Sequence, residues 1–368
     1  MLLIQATCAA LILAYTLPSP HAAALSRSPP AVAMRGGPPA HVTAKKKANK
    51  KKKVAKIKTA ALPSEDELRA AHMALVQDSV ARHAPSLLSQ LDDNGYAIID
   101  NFLPPATIQQ MRAECEGLRT SGKMVASQST RWDEEKGEAV TYEKRNVLST
   151  NVAGGDDYHL SPRLVEYCVS LVSSLPPLVN AKFEAASSPQ LSARLHTNKL
   201  AVCLGDGSQY AKHYDNHGGG DARKLTVLLY LQERGAWREE NGGCFRMFVN
   251  PPPPQSGEEG ETPSIGVREG RARALEPLQL ADDYKEEEEE EEAHACVDIA
   301  PLGGRLLAFW SDTMIHGVTE SHASGEAEYR WALTVWLHTE DQAAITFDAE
   351  AEERHFGAGG TSHRALAG

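Results

Sequence analysis

His213 and Asp215 stand two apart in Tyr210-Ala-Lys-His-Tyr-Asp-Asn216. Residues i and i+2 of an extended strand project from one face, so an imidazole and a carboxylate spaced this way can reach one metal ion. Two ligands do not complete a site. A second histidine would leave half of an octahedron open, the arrangement iron(II) adopts for oxygen chemistry. With 14 histidines in the chain, a His-x-Asp triplet arises readily by chance, so its neighbourhood must supply the rest. His316 lies just beyond Gly303-Gly-Arg-Leu-Leu-Ala-Phe-Trp-Ser-Asp312, a strand-like apolar run ending in a polar turn, from which it can reach across a barrel to the His-x-Asp strand. His322 is a rival, in Ser- and Gly-rich sequence that reads as loop. His338-Thr-Glu340 repeats the spacing without a matching distal histidine and reads as structural.

Arg330 opens Arg-Trp-Ala-Leu-Thr-Val-Trp336. Alternation along that strand puts Arg330, Ala332, Thr334 and Trp336 on one face. A guanidinium facing the interior of a small barrel needs an anion, because an unpaired buried charge is costly. A dicarboxylate would supply one, gripped by the two-pronged guanidinium, and the hydroxyl of Tyr230 can add a further donor. Taken alone, Arg330 would be an ordinary salt bridge at a strand end; the metal motif beside it makes the anion clamp the sharper reading.

The elements that must hold these residues follow a simple order. Ser64 reads as an N-cap, with Glu65, Asp66 and Glu67 in the first turn and apolar residues at helical spacing after them. This helix runs to Leu91, with Pro85 expected to break or kink it. Gly95–Asp100 is strand-like, and further helices are expected over Ala106–Leu118 and Pro162–Leu175. From Asn198 onward the texture is short β-runs: Lys199–Leu204, Tyr210–Asp215, Lys224–Gln232, Gly243–Val249, Cys296–Ile299, Arg305–Trp310 and Arg330–His338. A mainly β sandwich or barrel with flanking helices packed on one side follows. Pro251–Ala293 interrupts it, opening with four consecutive prolines and ending in seven consecutive glutamates, Glu286–Glu292. Such a run repels itself and buries no core, so it reads as a disordered acidic insertion. Residues 64–195 form the helical N-terminal part of the domain, 196–340 its β-core, and 341–368 a flexible tail.

The net charge of −11 is unevenly spread. No acid occurs before Glu65, whereas nine lysines, Arg27 and Arg35 do, and the remainder is acidic. An acidic catalytic region excludes nucleic acid as its expected partner. Leu2–Tyr15 has the length of a signal-peptide core, too short to span a bilayer, with small residues at Ala22–Ala24. Residues 1–24 therefore read as a signal peptide and 25–63 as a basic, transit-like linker. The expected address is the secretory pathway, either the ER lumen or a plastid reached by a bipartite signal. The nucleus or cytoplasm follows if the apolar run is no signal. No transmembrane segment is expected in the mature chain. The six cysteines lack CxxC spacing and read as free thiols.

These residues resemble the prolyl 4-hydroxylase branch of the Fe(II)/2-oxoglutarate-dependent dioxygenases, and within it the EGL-nine type that acts on hypoxia-inducible factor. The likeness covers roughly residues 91–339. It rests on Gly95-Tyr-Ala-Ile-Ile-Asp-Asn-Phe-Leu103, Tyr210–Asn216, Tyr230-Leu231, Gly242-Gly243, Phe309-Trp-Ser-Asp312, His316-Gly-Val318 and Arg330–Trp336. The resemblance implies a double-stranded β-helix (jelly roll) core packed on the N-terminal helices. It implies iron(II) on His213, Asp215 and His316, and 2-oxoglutarate on Arg330 and Tyr230. Tyr210, Thr334 and Trp336 are expected around them, with no separate acid–base residue. O₂ is the oxidant and ascorbate the reductant. The implied reaction hydroxylates a peptidyl proline while 2-oxoglutarate becomes succinate, with Thr120–Ser149 as a lid over the substrate. Two alternatives stand beside it. One is the same chemistry on another protein side chain or a small molecule. The other is a non-catalytic metal-binding β-barrel that serves as an interaction module, against which the Arg330–Tyr230 pair argues. The chain departs from its relatives in three places. Leu204 falls where they carry a tyrosine against the cosubstrate, Ser324–Glu328 lengthens the path from His316 to Arg330, and the acidic insertion is foreign to the animal enzymes.

Overall fold

Ser64 begins the first helix, α1 (Glu65–Asn94), as a capping box. Its hydroxyl accepts from the Glu67 amide while its own amide donates to the Glu67 carboxylate at 2.7 Å. The helix ends at Gly95, whose φ of 76° closes it in the left-handed conformation. It does not end at Pro85: Ala84, Leu87 and Leu91 are all buried, so packing on both sides of the proline outweighs the lost backbone hydrogen bond. Helices α2 (Pro105–Thr120) and α3 (Pro162–Lys182) pack beside it. By length and mean hydropathy (1.2) α3 would suit a membrane span, yet Leu164, Tyr167, Leu171, Leu175 and Val179 are buried in the core of this fold. The computed structural model describes residues 63–133, 138–183, 189–216, 218, 220–248 and 296–346. The expected signal peptide, nearly all of the basic linker, the acidic insertion and most of the tail lie outside these residues.

Eleven strands among the described residues form two antiparallel sheets. They are β1 (Tyr96–Ile99), β2 (Val125–Asp133), β3 (Glu138–Thr150), β4 (Leu191–Cys203), β5 (Ser208–His213), β6 (Arg223–Tyr230), β7 (Phe245–Phe248), β8 (Cys296–Ile299), β9 (Leu306–Trp310), β10 (His316–Ser321) and β11 (Arg330–Thr339). The large sheet has the order β1-β9-β6-β11-β4-β3-β2 and the small one β5-β10-β7-β8. Together they form the double-stranded β-helix, with the helices laid on the outer face of the large sheet.

Period-two alternation sorts every central strand into two cores. Leu200, Val202, Leu225, Val227, Leu229, Leu306, Ala308, Trp331, Leu333, Val335 and Leu337 join the helices in one cluster. Leu228, Tyr230, Leu307, Phe309 and Ala332 turn the other way and meet Phe245, Met247 and Ile299 of the small sheet. The space between the sheets is where the chemistry-bearing residues project. Thr120–Ser149, expected as a lid, holds most of a β-hairpin, β2 and β3, on the edge of the large sheet, joined to β4 by the pairs Val147↔Cys203 to Thr150↔Leu200. Its polar residues on both faces hid the strand period from the sequence. β10 is likewise a strand where a turn and loop were expected.

Leu333 is fully buried on the helix side, one residue from Thr334 on the site side. Leu333→Ala lowers stability by about 2–5 kcal/mol, measured by urea unfolding, because a large side chain is lost where neighbours on two layers cannot collapse.

Candidate metal centre and anion clamp

β5 and β10 run antiparallel with His213 directly opposite His316. The two histidines are therefore neighbours on paired strands of the small sheet, not groups reaching across the barrel. Their ring centroids are 4.3 Å apart. Each Nδ1 faces a carbonyl two residues back in its own strand or turn: Ala211 O at 2.8 Å for His213 and Met314 O at 3.1 Å for His316. These bonds make Nδ1 the protonated nitrogen and leave each Nε2 lone pair free. His316 is wedged further by Phe245, stacked at 4.8 Å, and Phe309 at 4.7 Å.

Asp215 lies two residues past His213, just beyond the end of β5. Its Oδ1 is 3.8 Å from His213 Nε2 and 3.9 Å from His316 Nε2, too far for hydrogen bonds and close enough to share one ion. The ligand atoms of all three residues lie within 4.8 Å of one another. The loop carrying Asp215 is pinned by Asn216, whose amide donates to Ser311 O at 2.9 Å and whose side chain donates to the carbonyls of Asp221 and Arg223. Thr226 Oγ1 donates to Asp215 Oδ2 at 2.7 Å and is itself 2.8 Å from Ser311 Oγ. One carboxylate oxygen is thus held by protein and the other is turned to the histidines.

Electrostatics suits a cation here. Burial, aided by the proximity of His316, depresses the His213 pKa to about 3, and burial with the field of Lys144 lowers that of His316, so both imidazoles are neutral and able to act as ligands. Burial works against the Asp215 carboxylate, but the two imidazoles and the Thr226 hydroxyl outweigh it and hold its pKa below the ordinary value. Trp336 sits on the inward face of β11, near enough to Asp215 to favour its charged form, although its indole nitrogen makes no hydrogen bond among the described residues. Thr334 stands on the same face, opposite Lys199 and Leu228. The rival histidines stay away: His322 is exposed beside Glu320, and His338 meets Thr197 Oγ1 at 3.1 Å.

Arg330 is 4% exposed. Its Nε donates to Gly243 O at 2.7 Å and its Nη2 lies 3.4 Å from the Tyr230 hydroxyl. Among the described residues no carboxylate lies within ion-pair distance of it. Gly243 takes a φ of 66°, and a Cβ there would meet Arg330 Cδ at 3.0 Å, so glycine lets the backbone approach the guanidinium. Arg112 of α2, buried against the Trp331 ring at 5.1 Å, donates to the Tyr329 carbonyl at 3.3 Å and so fixes the entry to β11. The longer path before Arg330 is used here too: Arg112 Nη2 donates to Glu326 O at 2.7 Å.

One position needs correction. Leu204 packs with the helix-side core, while Cys203 is the residue opposite Arg330 on the clamp face. The sequence reading also passed over Thr226, Ser311, Asn216, Lys144 and Lys199. Ser311 was visible inside the Phe309–Asp312 motif, and Lys199 opens the expected strand run Lys199–Leu204. Lys144 lay in the unrecognised hairpin.

Residues 199–338 match the 2OG-Fe(II) oxygenase superfamily. Egl nine homolog 1 of Homo sapiens is 24% identical over 257 residues, 69% of this chain and 46% of that protein. Prolyl hydroxylase EGLN3 of Homo sapiens is 23% identical over 267 residues, 69% of this chain and 82% of that one. The chain thus spans about half the length of the first curated relatives it matches. Among solved structures, a prolyl hydroxylase from Trichoplax adhaerens in complex with a hypoxia inducible factor peptide fragment has a TM-score of 0.49 at 22% identity, over 74% of this chain and 96% of that one. A Pseudomonas putida prolyl-4-hydroxylase has a TM-score of 0.45 at 17% identity, over 70% and 100%.

Thr226→Val keeps the shape of the pocket and removes the hydroxyl from Asp215; iron(II) affinity, read by anaerobic dialysis, falls roughly 10–100-fold. Protons compete with iron for the same imidazole nitrogens, and here the imidazole pKa values lie below the ordinary one. The decline in affinity on acidification therefore begins below the ordinary histidine value. A decline that starts at about pH 6.5, the ordinary histidine value, would contradict that environment.

Proposed function

We propose that the chain is an Fe(II)/2-oxoglutarate oxygenase, the superfamily its residues 199–338 match, and within it a prolyl 4-hydroxylase acting on a peptidyl proline. The observation that carries the reading is the buried Arg330, a guanidinium with a carbonyl and a phenol for company and no carboxylate of its own among the described residues. A protein that only bound metal would gain nothing from it, because burying an uncompensated charge costs several kcal/mol in order-of-magnitude terms. A dicarboxylate cosubstrate supplies the missing charge. The name of one relative, prolyl hydroxylase EGLN3, supports proline as the group oxidised.

His213, Asp215 and His316 would hold iron(II), three ligands of the mixed imidazole and carboxylate type that leaves open positions. Iron(II) with 2-oxoglutarate and O₂ supplies the oxidising chemistry, in which the cosubstrate is decarboxylated to succinate and a C–H bond of the substrate is hydroxylated. The protein's part is placement. Arg330 and Tyr230 would grip the distal carboxylate, with Gly243 O fixing the guanidinium plane. Thr226 and Ser311 hold Asp215 in one orientation, and the Ala211 and Met314 carbonyls hold the imidazole tautomers. The apolar lining, Phe245, Phe309, Met247 and Leu307, excludes water around the reacting groups. No side chain has to move a proton for this chemistry.

The test uses the full chain with iron(II), ascorbate, 2-oxoglutarate and a library of proline-containing peptides, following succinate and peptides that gain one oxygen by mass spectrometry. His213→Ala abolishes both products. Arg330→Ala raises the KM for 2-oxoglutarate by about two orders of magnitude, the scale of a lost charge-assisted pair. Succinate formation with no oxidised peptide would move the reading to another substrate.

A further inference from the structure

Cations around the centre divide into two groups. Arg223 is held by Asp221, with Nε to Oδ2 at 2.8 Å, and Lys224 by Asp312 at 2.7 Å. Lys144 and Lys199 have no such partner among the described residues. Lys144, on β3, lays its ammonium 3.9 Å from the centroid of the Tyr210 ring, the tyrosine three residues before His213. Lys199, on β4, stands opposite Thr334 on the face that also carries Cys203, and its ammonium donates to Ser127 Oγ of β2 at 2.9 Å. A phenyl face and a hydroxyl are weak company for two half-buried ammonium groups.

Their surroundings tie both amines to the centre. Burial, with the charge of Lys199 as the second cause, lowers the Lys144 pKa to about 8, so Lys144 lies in the field of Lys199. Burial also lowers that of Lys199. The opposing influences come from Cys203 and Asp215 in both cases, and Lys144 in turn depresses both imidazoles. Among the described residues Asp215 is the carboxylate in this field, and a bound cation would take its charge. With iron(II) and a dianionic cosubstrate in place, their charges and those of Asp215 and Arg330 cancel. The two lysines are then the uncompensated charge of the pocket. The edge hairpin supplies one of them and β4 the other, so the pair lies toward the β3 side of the cleft while Arg330 closes the β11 end.

We propose that Lys144 and Lys199 form a subsite for a carboxylate of the primary substrate, so that the residue oxidised lies next to an aspartate or glutamate in the peptide. The proposal rests on the peptide-hydroxylase reading and narrows it to acidic sequence contexts. Two ammonium groups on different strands act as a gauge as well as an attraction. A neutral side chain in that position leaves both unpaired and costs affinity, which turns electrostatics into discrimination.

The experiment measures binding and oxidation separately on the full chain. Fluorescein-labelled peptides carry proline flanked by aspartates, proline flanked by asparagines, or alanine flanked by aspartates. Their anisotropy is titrated with protein loaded anaerobically with iron(II) and 2-oxoglutarate. The aspartate peptides bind roughly tenfold tighter than the asparagine peptide, whether proline or alanine lies between. Lys144→Met and Lys199→Met remove that preference, and Lys199→Arg restores it. The iron–cosubstrate charge-transfer band of each variant reports an intact centre. Equal binding of aspartate and asparagine peptides overturns the proposal. So does a preference that survives both methionine variants, or a loss in the variants of 2-oxoglutarate affinity in place of peptide affinity. Acidic peptides that bind but never gain oxygen keep the subsite and sink the prolyl reading. Proline peptides hydroxylated without regard to aspartate do the reverse.

Discussion

In an antiparallel pair, directly opposed residues share a face, so the opposition of His213 and His316 across β5 and β10 sets both imidazoles into one space at 4.3 Å. Everything else at the centre depends on that register. A slip by one residue would turn one ring to the far side of the small sheet. The register is secured on the other edge of β10 as well, where His316 opposes Met247 of β7, a fully buried core residue. Asp215 needs no place in the ladder. It follows His213 at the end of the strand, and Asn216 anchors the loop to Ser311, Asp221 and Arg223 so that the carboxylate returns to the histidines.

A second constraint acts between the sheets. The site keeps its charges separate, with neutral imidazoles and one carboxylate on the small sheet, a guanidinium on the large one, and apolar rings between them. Buried polar groups are tolerable when each has a hydrogen-bond partner, as the neutral imidazoles have in carbonyls and the Asp215 carboxylate has in Thr226. Arg330 is the exception in kind. It has hydrogen-bond acceptors and no countercharge among the described residues, a cost retained because a ligand repays it. The positive φ of Gly243 is part of the same arrangement, since a side chain there would displace the guanidinium.

Legibility followed the length and regularity of the elements. β11 was readable to the residue: its alternation put Arg330, Thr334 and Trp336 inward, and the structure puts Trp331, Leu333 and Val335 against the helices. The Ser64 cap was equally plain, because capping is local chemistry. The hairpin β2–β3 was not, since an edge strand with polar residues on both faces carries no period to detect. Cys203 and Leu204 show how small the margin is. Both belong to the same run, and a shift of one residue along it exchanges the core-facing side chain for the clamp-facing one.

The sequence by itself determined which residues could do chemistry and which side of each strand they occupy, because ligand type, i/i+2 spacing and strand period are properties of neighbours in the chain. Only the tertiary structure decided who stands beside whom. That His316 is the strand neighbour of His213, that Thr226 and Ser311 hold Asp215, and that two lysines from separate strands lie in its field are consequences of sheet order and register. Those depend on contacts among residues up to about a hundred positions apart, which burial of the two cores selects and no local pattern encodes.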